Sequence, residues 1–179
     1  MNLPNKLTVF RVCITPLFVF LMLWDGFGAY GKYAAAAVFI LASATDWLDG
    51  YLARKNGLVT DFGKFMDPIA DKLIVCSAMI CLVEQGALAA WMVIIIIGRE
   101  FIISGFRLVA SDKGVVIAAS YWGKFKTVFQ MIMVILLIVD LGGVFDTIAE
   151  IVTWIAVALT IVSLVDYLWK NRNVLDGQM

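Results

Sequence analysis

Residues 46–71 read DWLDGYLARKNGLVTDFGKFMDPIAD, a 26-residue stretch holding Asp46, Asp49, Asp67 and Asp71. It joins two apolar runs of bilayer-spanning length, 33–54 and 68–85. A carboxylate at bilayer depth costs about 2.5 kcal/mol or more, so such groups persist mainly where they have a task. Four of one sign also repel one another, and a positive partner must offset them. A pair of divalent metal ions is the natural candidate. Hard oxygen donors at this density suit Mg²⁺, Mn²⁺ or Ca²⁺ rather than zinc, which prefers nitrogen and sulfur.

The surroundings agree with a membrane setting. The chain has 179 residues, of which 63% are hydrophobic, with a mean hydropathy of +0.94. A soluble domain of this size is nearer half apolar. Lys plus Arg and Asp plus Glu balance at 14 each, and no nucleic-acid partner is expected. Histidine is absent, which excludes imidazole acid–base catalysis and His-ligated metals. Cys13, Cys76 and Cys81 lie in apolar runs without paired zinc-type spacing and read as small packing residues. The opening MNLPNKLTVFR has no small-residue cleavage site after its apolar run, and Arg11 interrupts that run, so the N-terminus reads as retained.

Six runs reach spanning length: 8–24, 33–54, 68–85, 88–109, 123–142 and 148–169. All basic residues except Lys32 flank the N-terminus, the second-to-third connection, the fourth-to-fifth connection or the C-terminus. The positive-inside rule then places both termini in the cytoplasm and the four aspartates at the cytoplasmic end. Trp24 and Trp91 fit the opposite interface. The expected architecture is an all-α integral membrane protein of six transmembrane helices. An N-terminal interfacial segment precedes the first of them, and residues 1–179 form one domain without internal repeats.

On a helix Asp46, Asp49, Gly50 and Ala53 share one stripe, as do Asp67 and Asp71. Pro68 suits a first helical position with Asp67 as N-cap, which leaves Asn56–Gly63 as a loop between two antiparallel helices. Such a hairpin can bring both acidic faces together, while Gly50 and Ala53 leave room for a bulky ligand. Ion pairs of Asp46 or Asp49 with Arg54, and of Asp71 with Lys72, are the plain alternative. An ion pathway of a divalent-cation transporter is another. Carboxylate-bound metal pairs also serve phosphoryl transfer, where they steady attacking and leaving oxygens.

The string D-x2-D-G-x2-A-R-x8-G-x3-D-x3-D resembles the signature of the CDP-alcohol phosphotransferases, matched at Asp46, Asp49, Gly50, Ala53, Arg54, Gly63, Asp67 and Asp71 with spacing intact. The resemblance runs through the whole chain, including its length and six-helix topology. It implies a homodimeric enzyme of the bacterial cytoplasmic membrane, facing the cytoplasm and surrounded by membrane lipids. That enzyme moves a phosphatidyl group from CDP-diacylglycerol to an alcohol and releases CMP. By resemblance Asp46, Asp49 and Asp67 bind metal, two ions of Mg²⁺ or Mn²⁺. Asp71 lies at the metals and is the general base. Gly50, Ala53 and Arg54 contact the cytidine nucleotide, and Gly63 shapes the neighbouring loop. A carboxylate base accords with a chain that has no histidine.

A second cluster bears on the acceptor. Arg99 lies inside the fourth run in Gly98-Arg99-Glu100, and Arg107 follows where positions 99, 103 and 107 share a helical face. Lys124 and Lys126 open the fifth run in Gly123-Lys124-Phe125-Lys126-Thr127. Converging Arg and Lys suit a phosphate, which Arg grips with a bidentate fork. These motifs resemble the family branch whose acceptor is sn-glycerol 3-phosphate; inositol phosphate would use a similar pocket, and serine would not need one. Arg107, Lys113, Lys124 and Lys126 can also be read as contacts to anionic lipid heads, and Arg99 as the partner of Glu100. An intramembrane prenyltransferase is a further alternative, told apart by release of pyrophosphate instead of CMP. Pro4-Asn5, Thr8 and Arg11 resemble the family's N-terminal segment, although Asn5 and Thr8 equally fit a turn and a cap. Asp166 is expected to pair with Lys170 at the i, i+4 spacing.

Overall fold

A computed structural model describes residues 3–56, 61–112, 114, 117 and 120–172, with the side chains of 3, 4, 25, 29, 46–56, 61–65, 67 and 68 outside the description. The described residues form six α-helices: α1 (Leu3–Leu23), α2 (Ala29–Asn56), α3 (Asp61–Glu84), α4 (Ala90–Asp112), α5 (Tyr121–Val139) and α6 (Val144–Lys170). Each of the six apolar runs falls on one helix. A short 3-10 turn, Asp25–Phe27, joins α1 to α2.

Among the described residues three helices are long and apolar enough to cross a membrane: α1 over Asn5–Leu23, α5, and the 27-residue α6. The other three match them in length, but α2 and α3 carry the acidic stretch and α4 carries Arg99, Glu100 and Arg107. Large apolar side chains point outward on every helix, among them Phe20, Leu41, Ile80, Ile94, Val128 and Ile161. Exposure on that scale marks surfaces that meet something other than water.

The segment expected to lie at the interface before the first span is continuous with it, because α1 runs unbroken from Leu3 to Leu23. The expected cap at Asp67 is also corrected. The helix begins at Asp61, so Pro68 sits inside α3 and Asp67 does not end a loop. Its ring has no N–H, so α3 forgoes one backbone hydrogen bond there, a loss the packed helix carries.

The chain forms two compact units, one of residues 1–87 and 134–140, the other of 88–133 and 141–179. In the first, α1 packs against both α2 and α3. Phe18 meets Phe39 with ring centroids 6.0 Å apart, and the Gln85 side-chain amide donates to the Met22 carbonyl at 2.6 Å. These contacts make α1 antiparallel to α2 and parallel to α3. Gly31 permits the close approach of α2, since a Cβ there would lie 3.2 Å from the Leu21 carbonyl oxygen and from Phe27 Cβ.

In the second unit α4 packs on α6. Three contacts, Trp91–Trp154, Arg99–Ser163 and Phe106–Tyr167, advance in the same direction along both helices, so the two run parallel. Ile103, Phe106, Ala110 and Tyr167 form the core, with Leu164 and Leu168 packed against it. Thr153 and Thr160 are buried on α6 and donate to carbonyls one turn back at 2.7 Å, which satisfies their hydroxyls inside apolar packing.

Gly31→Leu is expected to lower stability by about 1–3 kcal/mol through overpacking against Leu21 and Phe27. Gly105→Ala on α4, where a Cβ meets nothing within 4 Å, should leave it unchanged or raise it by up to about 1 kcal/mol. Thermal unfolding of the detergent-solubilised protein checks both.

Candidate functional site

The acidic residues continue the stripes by which their helices pack. On α2 the buried residues Gly31, Ala35, Phe39 and Ala42 form one stripe, with Ala36 buried beside it. At about 100° per residue, positions 46, 49, 50 and 53 prolong that stripe toward the C-terminal end of the helix. On α3 the buried stripe is Ala70, Ile74, Ala78 and Leu82. Position 67 extends it, and Asp71 flanks it with an exposed side chain beside Ala70, which is fully buried. The side chains of Asp46, Asp49, Gly50, Ala53, Arg54, Gly63 and Asp67 lie outside the described residues, so only their places on the helices enter here. Both acidic faces belong to the first unit, and no more than residues 57–60 separate α2 from α3.

The buried face of α1 changes character along its length. Its C-terminal half is apolar, with Phe18 and Met22. Its N-terminal half is polar, with Asn5, Thr8, Arg11 and Thr15 all buried and Arg11 at 0% exposure. Thr15 Oγ1 donates to the Arg11 carbonyl at 2.8 Å. Helical counting relates this polar half to two of the acidic positions. Counting from the Phe18–Phe39 contact, antiparallel α2 sets position 46 about level with Arg11. Counting from Met22–Gln85, parallel α3 sets position 71 about level with Thr8. From sequence Asn5, Thr8 and Arg11 read only as a family-like N-terminal segment, with Asn5 and Thr8 equally a turn and a cap, and Thr15 is not singled out. The signal was there, in polar residues spaced three, three and four apart on an otherwise apolar helix.

The second unit holds the basic cluster. Arg99 is buried, its Nε–H donating to Ser163 Oγ at 3.1 Å and its Nη1 to Glu100 Oε1 at 2.9 Å. Lys126, 2% exposed, donates through Nζ to that same Glu100 oxygen. Gly123 faces the free edge of the guanidinium, since a Cβ there would lie 3.1 Å from Arg99 Nη2. The structure therefore joins Arg99 to Lys126 through Glu100, a residue to which sequence reasoning gave no part in the site. Arg107 and Lys124 stand apart from these contacts. Ile103 and Phe106 turn inward on α4 while Arg107 is exposed, because eight residues advance a helix by about 80° beyond two turns. Lys124 is exposed, its Nζ 5.4 Å from the Tyr121 ring centroid. Asp166 pairs with Lys170 at 2.7 Å, as the spacing predicts.

The described residues thus show a buried polar stripe on α1 and a buried cation cluster around Glu100, and the sequence puts the aspartates at helical spacing on α2 and α3. Comparison with known proteins gives the family. Residues 1–162 match the model of the CDP-alcohol phosphatidyltransferase family. This chain belongs to that family. The matched range includes both the acidic stretch and the Arg99–Glu100–Lys126 cluster. Among its relatives is a Bacillus subtilis protein, 45% identical over 97% of each chain, named CDP-diacylglycerol–glycerol-3-phosphate 3-phosphatidyltransferase. A Haemophilus influenzae protein of the same name is 40% identical over 97% of this chain and 95% of its own. A Mycobacterium tuberculosis protein named probable phosphatidylglycerophosphate synthase is 38% identical over 98% of this chain and 84% of its own.

A fully buried guanidinium in a membrane-grade helix is expected to serve the family's reaction. Arg11→Leu should lower kcat/KM by about 100-fold or more, while Cys13→Ser, exposed on the same helix, should stay within about twofold. Nucleotide release from a CDP-linked lipid measures both, and equal activities would remove Arg11 from the site.

Proposed function

We propose that this chain transfers the phosphatidyl group of CDP-diacylglycerol to sn-glycerol 3-phosphate, giving phosphatidylglycerophosphate and CMP. The observation that carries the reading is the complete acidic motif of the sequence, at positions that helical spacing puts in line with the packing stripes of α2 and α3. The relatives' names supply the acceptor, and the family match spans both described units.

The donor set of Asp46, Asp49, Asp67 and Asp71 is all carboxylate oxygen on two adjoining helices, which fits a pair of Mg²⁺ or Mn²⁺ ions. When bound, those ions neutralise the pyrophosphate of the donor and the charge that develops on departing CMP. The chain's own residues do the rest. Gly50 and Ala53 leave space for the cytidine nucleotide, Arg54 pairs with it, and Gly63 shapes the adjoining turn. Asp71 takes the proton from the acceptor hydroxyl. The acceptor's hydroxyl oxygen, its proton now on Asp71, forms a new bond to the phosphatidyl phosphorus as the bond from that phosphorus to the CMP oxygen breaks. The exposure of Asp71 supports this role, since a base must reach a soluble acceptor. Arg99, Arg107, Lys124 and Lys126 hold the acceptor's phosphate, Arg99 and Lys126 as a buried pair and Arg107 and Lys124 as exposed cations.

We further infer that all six helices cross the bacterial cytoplasmic membrane, with both termini and the acidic end on the cytoplasmic side. Residues 1–179 then act as one catalytic domain, assembled as a homodimer. Alternation of direction supports the topology, because α1 runs parallel to α3 and α4 to α6, as odd and even spans must. Lys32, the single basic residue expected outside, pairs with Asp140 at 2.6 Å.

Purified protein is to be given CDP-diacylglycerol with each of glycerol 3-phosphate, inositol phosphate and serine. Turnover should require glycerol 3-phosphate and a divalent metal, and turnover with another alcohol alone would end the assignment. Asp71→Asn should lower kcat by about 100-fold or more and keep most binding of the CDP-lipid; full activity would remove Asp71 as base. Arg107→Ala should raise the acceptor KM well above any change in that of the CDP-lipid.

A further inference from the structure

Glu100 has no place in the chemistry described so far, yet two buried cations meet on one of its oxygens. We propose that Glu100 is a positioning residue that yokes Arg99 and Lys126 into one rigid clamp for the acceptor's phosphate, with Ser163 and Gly123 setting the remaining edges of Arg99. The inference rests on reading Arg99 and Lys126 as acceptor-phosphate residues.

The geometry carries the argument. Arg99 on α4 and Lys126 on α5 would repel if brought together unaided, most strongly where water is excluded. A shared carboxylate oxygen holds both nitrogens within hydrogen-bond reach of one point, and it leaves the three groups with one net positive charge. Arg99 is fixed independently on a second edge. Ser163 donates its hydroxyl hydrogen to the Thr160 carbonyl at 2.9 Å, so its oxygen turns a lone pair toward Arg99 Nε. On the third edge Gly123 lets Nη2 lie against the first turn of α5, where any side chain would displace it. A guanidinium held at Nε and Nη1 keeps Nη2 in a set direction, which suits a directional hydrogen bond to a phosphate oxygen. A bridge serving only to neutralise charge would need Arg99 and Glu100 alone. It would require neither a fully buried Lys126 on the same oxygen nor a glycine beside Nη2.

Steady-state kinetics on the purified full chain tests this with two variants that make opposite demands on stability. Gly123→Ala adds helix propensity at a half-buried position in the first turn of α5, so a glycine with no part in seating Arg99 would give equal or higher melting temperature and unchanged kinetics. The clamp instead requires the acceptor KM to rise by about tenfold while the KM for the CDP-lipid stays within about twofold. Glu100→Gln keeps the shape of the side chain and removes the charge that binds the two cations. It should show the same selective rise, with Glu100→Asp, whose carboxylate falls one methylene short, intermediate between it and the wild type. Unchanged acceptor KM in Gly123→Ala and Glu100→Gln, beside a raised one in Arg99→Ala, would overturn the yoke and leave the phosphate reading standing. Unchanged acceptor KM in Arg99→Ala would overturn the phosphate reading itself. Should Glu100→Gln fail to fold, Gly123→Ala decides the question alone.

Discussion

Charge placed on the packing face of a helix whose other faces are apolar is the constraint on which this structure turns. In water such a residue swings outward and is solvated. Between packed apolar helices it has no such exit, and each charged group needs a fixed partner or a bound ligand. The stripes of α2 and α3 are apolar and small-residue where they are buried. Helical spacing puts the aspartate positions in line with those stripes, where charge would require cations.

The two compact units answer that requirement differently. In the first, α1 mirrors its neighbours, apolar where they are apolar and polar where they carry acids, with Arg11 wholly buried at the depth of position 46. In the second, the excess is of cations, and a single carboxylate stands between Arg99 and Lys126. A guanidinium is suited to such a place because its planar fork makes several bonds in fixed directions, here to Glu100 and Ser163. An ammonium is compact and rotates freely, so its direction is set by what it meets. Small residues serve both units for the same reason. Gly31 lets α1 and α2 touch, and Gly123 admits the edge of Arg99.

Much of this was legible from residue order, and the exceptions have physical causes. The six helices follow from the length of the apolar runs, since only a helix satisfies its own backbone over such a stretch. The acidic motif is readable because spacings of three and four put residues on one face whatever the surroundings. Pro68 was misread as a helix start, because local preference favours it there while tertiary packing carries α3 back to Asp61. Arg107 was grouped with Arg99 on a shared face, but eight residues overshoot two turns, and the helix buries Phe106 in its place. The partner of Arg99 was foreseen in Glu100, its chain neighbour. Lys126 on that same carboxylate oxygen, and Ser163 on Nε, were not.

Residue order by itself determined that the chain is built of long, largely apolar helices, that its acids recur at helical spacing, and that it has the motif of its family, because these depend on period and composition along one helix. Which polar residues are sealed from solvent, which cations share a carboxylate, and which glycine seats a guanidinium were decided only by tertiary structure. Those facts depend on how separate helices slide and rotate against each other. The register of Arg11 against α2, and of Arg99 against Ser163, is set by the packing of Phe18 on Phe39 and of Phe106 on Tyr167. Shape complementarity between distant segments sets that register, and no local pattern encodes it.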